Sequence, residues 1–138
     1  MANVFYISEM VSLALHSILI IAAVKEGQLV NTKKIASLLG ASEAHLAKVL
    51  QQLVKTGYIR SERGPRGGFA LLKNANEITL LDIYEAIEGP IKIDRCPMNS
   101  KKCAFKTCIL GGIPEQLNQK FEKYMAEQKL GDFSNNLK

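Results

Sequence analysis

The chain has 138 residues, 47% of them hydrophobic and 22% charged, with a formal net charge of +5. That length and balance fit one small globular unit with a single modest core, and exclude a disordered tail, a fibrous repeat and a membrane-embedded bundle. The excess of base over acid points to an acidic partner, and where the bases fall along the chain narrows which one.

The first predicted element is a helix within Met10 to Val24, an almost continuous apolar run interrupted at Ser12, His16 and Ser17. A bilayer span takes about 20 apolar residues, so the run is too short to cross comfortably, and no Lys or Arg precedes it as in a signal peptide. The expectation is a helix buried on most sides, lying near the centre of a dimer, in a cytoplasmic protein with no membrane partner. His16 is the polar residue to weigh on it. It can simply hydrogen-bond to a carbonyl, or it can serve as a ligand.

Thr32 to Leu39 forms the next predicted helix, with Ile35 and Ala36 on its apolar side and Gly40 to end it. A second helix follows at once. Ser42 is a suitable N-cap, and Leu46, Val49, Leu50 and Leu53 recur at the spacing of one buried face. His45, Lys48, Gln52 and Lys55 fall on the opposite stripe. Two helices joined by a short glycine turn, the second with a polar stripe, form a helix-turn-helix pattern, although such a pair is also ordinary packing and such a stripe an ordinary solvated face.

Two short strands are expected next, Tyr58-Ile59-Arg60 and Phe69-Ala70-Leu71-Leu72, around a basic, glycine-rich tip from Ser61 to Gly68. Glycines permit close approach to another backbone, and Arg63 and Arg66 carry charge suited to phosphate or a minor groove. The pattern becomes a winged helix-turn-helix. From Asn31 to Lys73 there are eight Lys or Arg against two acids, a net of +6, while the whole chain carries only +5. Basicity confined to one module is the footprint of a phosphate-binding surface. The candidate DNA contacts are Lys33, Ser42, Glu43, His45, Lys48 and Gln52 on the helix pair, and Arg63, Gly64, Arg66 and Gly67 on the wing.

Lys73 to Ile78 reads as a polar connector, and Thr79 to Asp82 as a capping-box variant opening a helix through Ile83, Tyr84 and Ile87, which Gly89-Pro90 ends. All three cysteines follow within thirteen residues, Cys96, Cys103 and Cys108, separated by six and then four residues. Clustered thiols in a reducing compartment suggest metal or redox chemistry more than a structural disulfide, and thiolates suit iron-sulfur clusters or zinc. The spacing matches no zinc ribbon and leaves one ligand position open; a disulfide pair with one spare thiol is the other reading. The last predicted helix runs from Pro114 to about Lys129 with Leu117, Phe121, Tyr124 and Gln128 on one stripe, which it cannot bury against itself. A second copy would cover it. Ser134 to Lys138 is expected to be a frayed tail.

The expected fold is mostly α with a small β-hairpin: a winged helix-turn-helix domain over residues 1–90, a cysteine-bearing loop over 91–112, and a dimerisation helix and tail over 113–138. An enzyme is not expected, since the chain has no phosphate-binding glycine loop and no Ser/His/Asp set.

The run Lys34-Ile35-Ala36, the helix from Ser42 to Leu53, Val54 to Ile59, the wing from Arg63 to Phe69, Glu77 to Ile83 and Glu88-Gly89-Pro90 together resemble the Rrf2 family of bacterial transcription regulators, over nearly the whole chain. The resemblance implies a homodimeric repressor or activator on palindromic double-stranded DNA, often sensing through an iron-sulfur cluster. It places Cys96, Cys103 and Cys108 as ligands of a [2Fe-2S] or [4Fe-4S] cluster, with His16 of the other subunit as the fourth. Three features depart from the family pattern. The cysteine spacing is six and four where five and five is usual; Ser12 stands where some relatives place a carboxylate ligand, Glu9 being the nearest; and Ala47 stands where some have an acid. The sequence-level rivals are a structural zinc site and a metal-free thiol switch.

Overall fold

A computed structural model describes residues 3–92, 96 and 102–137. Helix α1 spans Glu9–Ala23, opened by Ser8, whose hydroxyl accepts from the Val11 amide at 3.2 Å. Helix α2 (Thr32–Leu39) is capped by Asn31 and ends at Gly40, whose φ of 61° is the left-handed turn expected there. Helix α3 covers Glu43–Lys55. Ser42 occupies its N-cap backbone position, but its side chain makes no capping hydrogen bond, so the cap is conformational only.

Strands β1 (Ile59–Glu62) and β2 (Gly68–Leu71) pair antiparallel, with Ile59 opposite Leu71 and Glu62 opposite Gly68. The ladder therefore runs further towards the tip than the apolar residues alone imply. A 3-10 turn at Ala75–Glu77 leads into α4 (Leu80–Glu88), opened by the expected capping box: Thr79 Oγ1 accepts from the Asp82 amide at 3.0 Å, and Asp82 Oδ2 from the Thr79 amide at 2.9 Å. Helix α5 spans Ile113–Glu127, and a second 3-10 turn at Leu130–Phe133 closes the fold.

Helix α1 is the hub, touching α2, α3, α4, β2 and the closing turn. Ala14 and Ile18 from α1, Ile35 from α2, Leu46, Val49, Leu50 and Leu53 from α3, Ile59 from β1 and Ile83 from α4 are buried in one core. Met125 and Leu130 are buried in that same core. The C-terminal segment is thus stitched into the winged domain: the Leu80 amide donates to Gln128 O and the Leu130 amide to Ile78 O, both at 2.9 Å.

The apolar sector of α5 is split. Phe121 packs edge-on to Tyr84, with centroids 5.2 Å apart, and lies 5.3 Å from Phe5, while Ile113, Leu117 and Tyr124 on the adjoining edge stay exposed at 50%, 44% and 51%. Beyond the closing turn, backbone turns continue to Asn136, and Phe133, Asn136 and Leu137 line a groove with α1 and α2, so the tail is laid down along the domain as far as it is described. Among the described residues no helix is long and apolar enough to cross a membrane.

Candidate nucleic-acid interface and cysteine segment

The turn from Gly40 to Ser42 sets α3 against α2, and burial of Leu46, Val49, Leu50 and Leu53 turns the remaining face of α3 outward. Lys33, Ser42, Glu43, His45, Lys48 and Lys55 are all exposed. Gln52 is not part of that open face. It is half-buried and its Nε2 donates to Ala86 O at 3.2 Å, so it ties α3 to α4.

At the wing, Arg63, Gly64 and Arg66 are exposed, and the tip is closed by the Gly67 amide donating to Gly64 O at 2.9 Å. Gly64 has a φ of 110°, which explains its residue type. Gly67 is a packing glycine: a Cβ there would stand 2.2 Å from Glu62 O. Arg60 forms an ion pair with Glu62 along β1 and so contributes less free charge than Arg63 and Arg66. Lys73 lies 5.1 Å from the centroid of the Tyr58 ring, a cation over an aromatic face at the base of the wing. Burial, then Asp82 and Glu85 nearby, push the Tyr58 hydroxyl above its ordinary range and keep it neutral.

The cysteines are unbridged, Cys96 half-buried and Cys103 and Cys108 exposed. Cys108 sits at the mouth of α5, where Gly111 (φ 62°) and Gly112 (φ 72°) turn the chain into the helix. The backbone amides of Gly112, then Leu110, outweigh the small burial cost and, with Gly111, hold the Cys108 thiol below its usual range. The glycine pair three and four residues past the last cysteine is the sequence signal that the chain turns here. His16 is exposed on α1, its Nδ1 2.6 Å from Ser12 O. Only a donor can face a carbonyl, so Nδ1 is the ring nitrogen that carries a proton here, and Nε2 is the one left to face a ligand. Around His16 are Leu19, Ile20, Leu38 and Leu39. Among the described residues no three His, Cys, Asp or Glu side chains come together as a metal-holding group; residues 93–95 and 97–101 of the cysteine-bearing loop lie outside the described residues, as does Lys138.

The sequence profile of the Rrf2 family, described as an iron-dependent transcriptional regulator, matches residues 7–136. The chain belongs to the Rrf2 family. An inferred HTH-type transcriptional regulator of Aquifex aeolicus (strain VF5) is 32% identical over 116 residues, covering 82% of this chain and 81% of that one. The fold matches CymR, the global cysteine regulator of B. subtilis, with a TM-score of 0.78 at 21% identity, over 97% of this chain and 99% of that one. It also matches T. potens IscR, with a TM-score of 0.76 at 22% identity, over 98% and 90%. This Rrf2 protein is therefore a DNA-binding transcriptional regulator with a winged helix-turn-helix, and the exposed basic surface of α2, α3 and the wing is the part of it suited to phosphate.

Proposed function

We propose that this Rrf2 regulator binds a palindromic operator as a homodimer and that its operator affinity is set by an iron-sulfur cluster held by Cys96, Cys103 and Cys108. The observation that carries the reading is the set of three unbridged thiols within thirteen residues ahead of α5, in a family described by its dependence on iron. Backbone amides aimed at a thiol stabilise it as thiolate, which is the ligating form, and amide hydrogen bonds to sulfur are one way a protein tunes such a centre. The donor set fits in chemistry: three unbridged thiols, soft donors, in the segment leading into α5. When bound, the group supplies reversible one-electron chemistry and sensitivity to oxidants.

His16 of a second copy is the fourth ligand in this proposal, with Nε2 as the donor atom because Nδ1–H is engaged by Ser12 O. The second copy is brought in by the open edge of α5, where Ile113, Leu117 and Tyr124 leave apolar surface uncovered. On the DNA side, His45 and Lys48 of α3 read bases while Lys33, Arg63 and Arg66 sit on phosphates, and two copies of α3 related by a twofold axis read a palindrome. Helix α5 joins the two functions. Its N-terminus begins at the Cys108 turn, and its C-terminus is bonded through Gln128 and Leu130 to Leu80 and Ile78, in the segment that follows the wing.

Anaerobic purification tests the cofactor directly. A visible absorbance band with stoichiometric iron and sulfide, abolished in Cys103→Ala, supports the reading; colourless protein containing zinc replaces it with a structural zinc site. The second reading is a metal-free thiol switch, favoured by the fold shared with CymR and with its oxidised form in S. aureus, at a TM-score of 0.75 and 21% identity. Protein free of iron and zinc whose operator affinity changes on oxidation of its thiols would establish that one instead.

A further inference from the structure

The wing is tied to the start of α2 by a backbone bridge. Val30, immediately ahead of the Asn31 cap, pairs with Phe69 in an antiparallel bridge: the Val30 amide donates to Phe69 O at 3.2 Å and the Phe69 amide to Val30 O at 2.8 Å. Asn31 is itself fixed, its Oδ1 accepting from the Lys34 amide at 2.8 Å. Gly68 lies flat against this junction. A Cβ on it would stand 2.6 Å from Val30 O, 2.7 Å from the Val30 carbonyl carbon and 3.0 Å from the Asn31 nitrogen. All three are backbone atoms that cannot swing aside, and the φ of +156° also disfavours a side chain. Glycine is what lets β2 reach Val30.

The position of this bridge along the hairpin matters. Ile59, fully buried, holds the base of the ladder opposite Leu71, whereas Gly68 sits at the far end opposite Glu62, where the tip begins. Displacing β2 at Gly68 therefore moves the tip while the core keeps its hold on the base. Between the tip and α2 lies an open groove lined by Asn31, Thr32, Arg63, Gly64 and Gly67, and its width is set by how closely Gly68 meets Val30.

We infer that Gly68 is a positioning residue for DNA binding: it fixes the wing at the one distance from α2 that brings Arg63 and Arg66 onto phosphates while α3 occupies the major groove. The inference rests on the reading of these two arginines as phosphate contacts. A free wing would carry the same charge but hold it in no register with the helix pair, and ordering it on binding would oppose affinity.

The test is a double-mutant cycle on the full chain, with a duplex selected from a random pool and affinity measured across salt concentrations. Replacing Arg63 and Arg66 together by Ala should weaken binding on the order of tenfold or more and flatten the salt dependence by about one unit of log–log slope for each phosphate that is no longer neutralised. Gly68→Ala should do the same while keeping the native circular dichroism, and combining all three changes should cost little beyond either alone. Additive effects, or a Gly68→Ala protein with an unchanged salt slope, would overturn the inference. Arginine changes that alter neither affinity nor slope would instead overturn the wing reading on which it rests. Should Gly68→Ala not fold, amide exchange in the native protein decides: the Val30 and Phe69 amides should be protected as strongly as the Tyr58 amide, which donates to Leu53 O at 3.1 Å, and rapid exchange at both would defeat the anchor.

Discussion

Cys108 is the residue whose chemistry is set most visibly by its surroundings. Hydrogen bonds from Gly112 and Leu110 favour the charged form, so its thiolate persists to lower pH than that of an ordinary cysteine. In cluster-free protein, alkylation of Cys108 followed by mass spectrometry should reach its half-maximal rate at a lower pH than the cysteine of a short unstructured peptide; coincident profiles would show that the turn does not stabilise the thiolate. The cysteines and the glycine pair behind them were legible in the sequence, but the amides that favour the thiolate were not, because their direction is set by the backbone. On α3, His45 and Lys48 are exposed side chains on the face proposed to read bases, so replacing either with Ala should change which duplexes are preferred in a selection experiment, and an unaltered preference would move base reading elsewhere. Gln52 marks the limit of a periodicity argument. Its position is polar by pattern and exposed by expectation, yet α4, which is remote in sequence, supplies a carbonyl 3.2 Å away and claims it.

At the scale of elements, local signals were read most reliably where a cap or a turn defines them. The Thr79–Asp82 box is an example, since two reciprocal hydrogen bonds satisfy amides that the first turn of α4 would otherwise leave open. Thr79→Ala should lower the unfolding free energy by about 1 kcal/mol, measured by urea denaturation at fixed protein concentration; no change would mean that water or another group replaces the hydroxyl. Helix α5 was legible in extent but not in allegiance. Its pattern gives one apolar stripe, and the structure divides it, with Phe121 and Met125 facing this chain and Ile113, Leu117 and Tyr124 facing outward. Met125 was missed because burial by a neighbouring helix is a tertiary fact. The open edge is the part that a second copy would cover, at roughly 1.5 to 3 kcal/mol for each large side chain fully buried. Leu117→Asp with Tyr124→Asp should therefore yield monomers in sedimentation velocity while leaving Phe121 and the fold in place, and an intact tight dimer would put the interface elsewhere.

For the molecule as a whole, the proposed sensor and the reading head are joined through one core rather than by a linker. Met125 and Leu130 share that core with α1, α3 and α4, and the backbone bonds at Ile78 and Leu80 fix the end of α5 to the chain just past the wing. Winged domain and hub helix were expected from the apolar spacing; the C-terminal stitch was not, because it depends on backbone hydrogen bonds between segments about fifty residues apart. Any change at the Cys108 turn that shifts α5 must therefore act on both its open edge and the segment behind the wing, and in the proposed function this is the route from the cysteine segment to operator binding. The coupling can be no larger than the difference in stability that the bound group imposes on the two arrangements, typically about 1 to 3 kcal/mol, or roughly 5- to 150-fold in affinity. The decisive measurement is the affinity of anaerobically prepared protein for one selected palindromic duplex, before and after removal of the cluster, at a single salt concentration. A change within that range is the expected result, and equal affinity in the two states would contradict the account even if iron and sulfide are present.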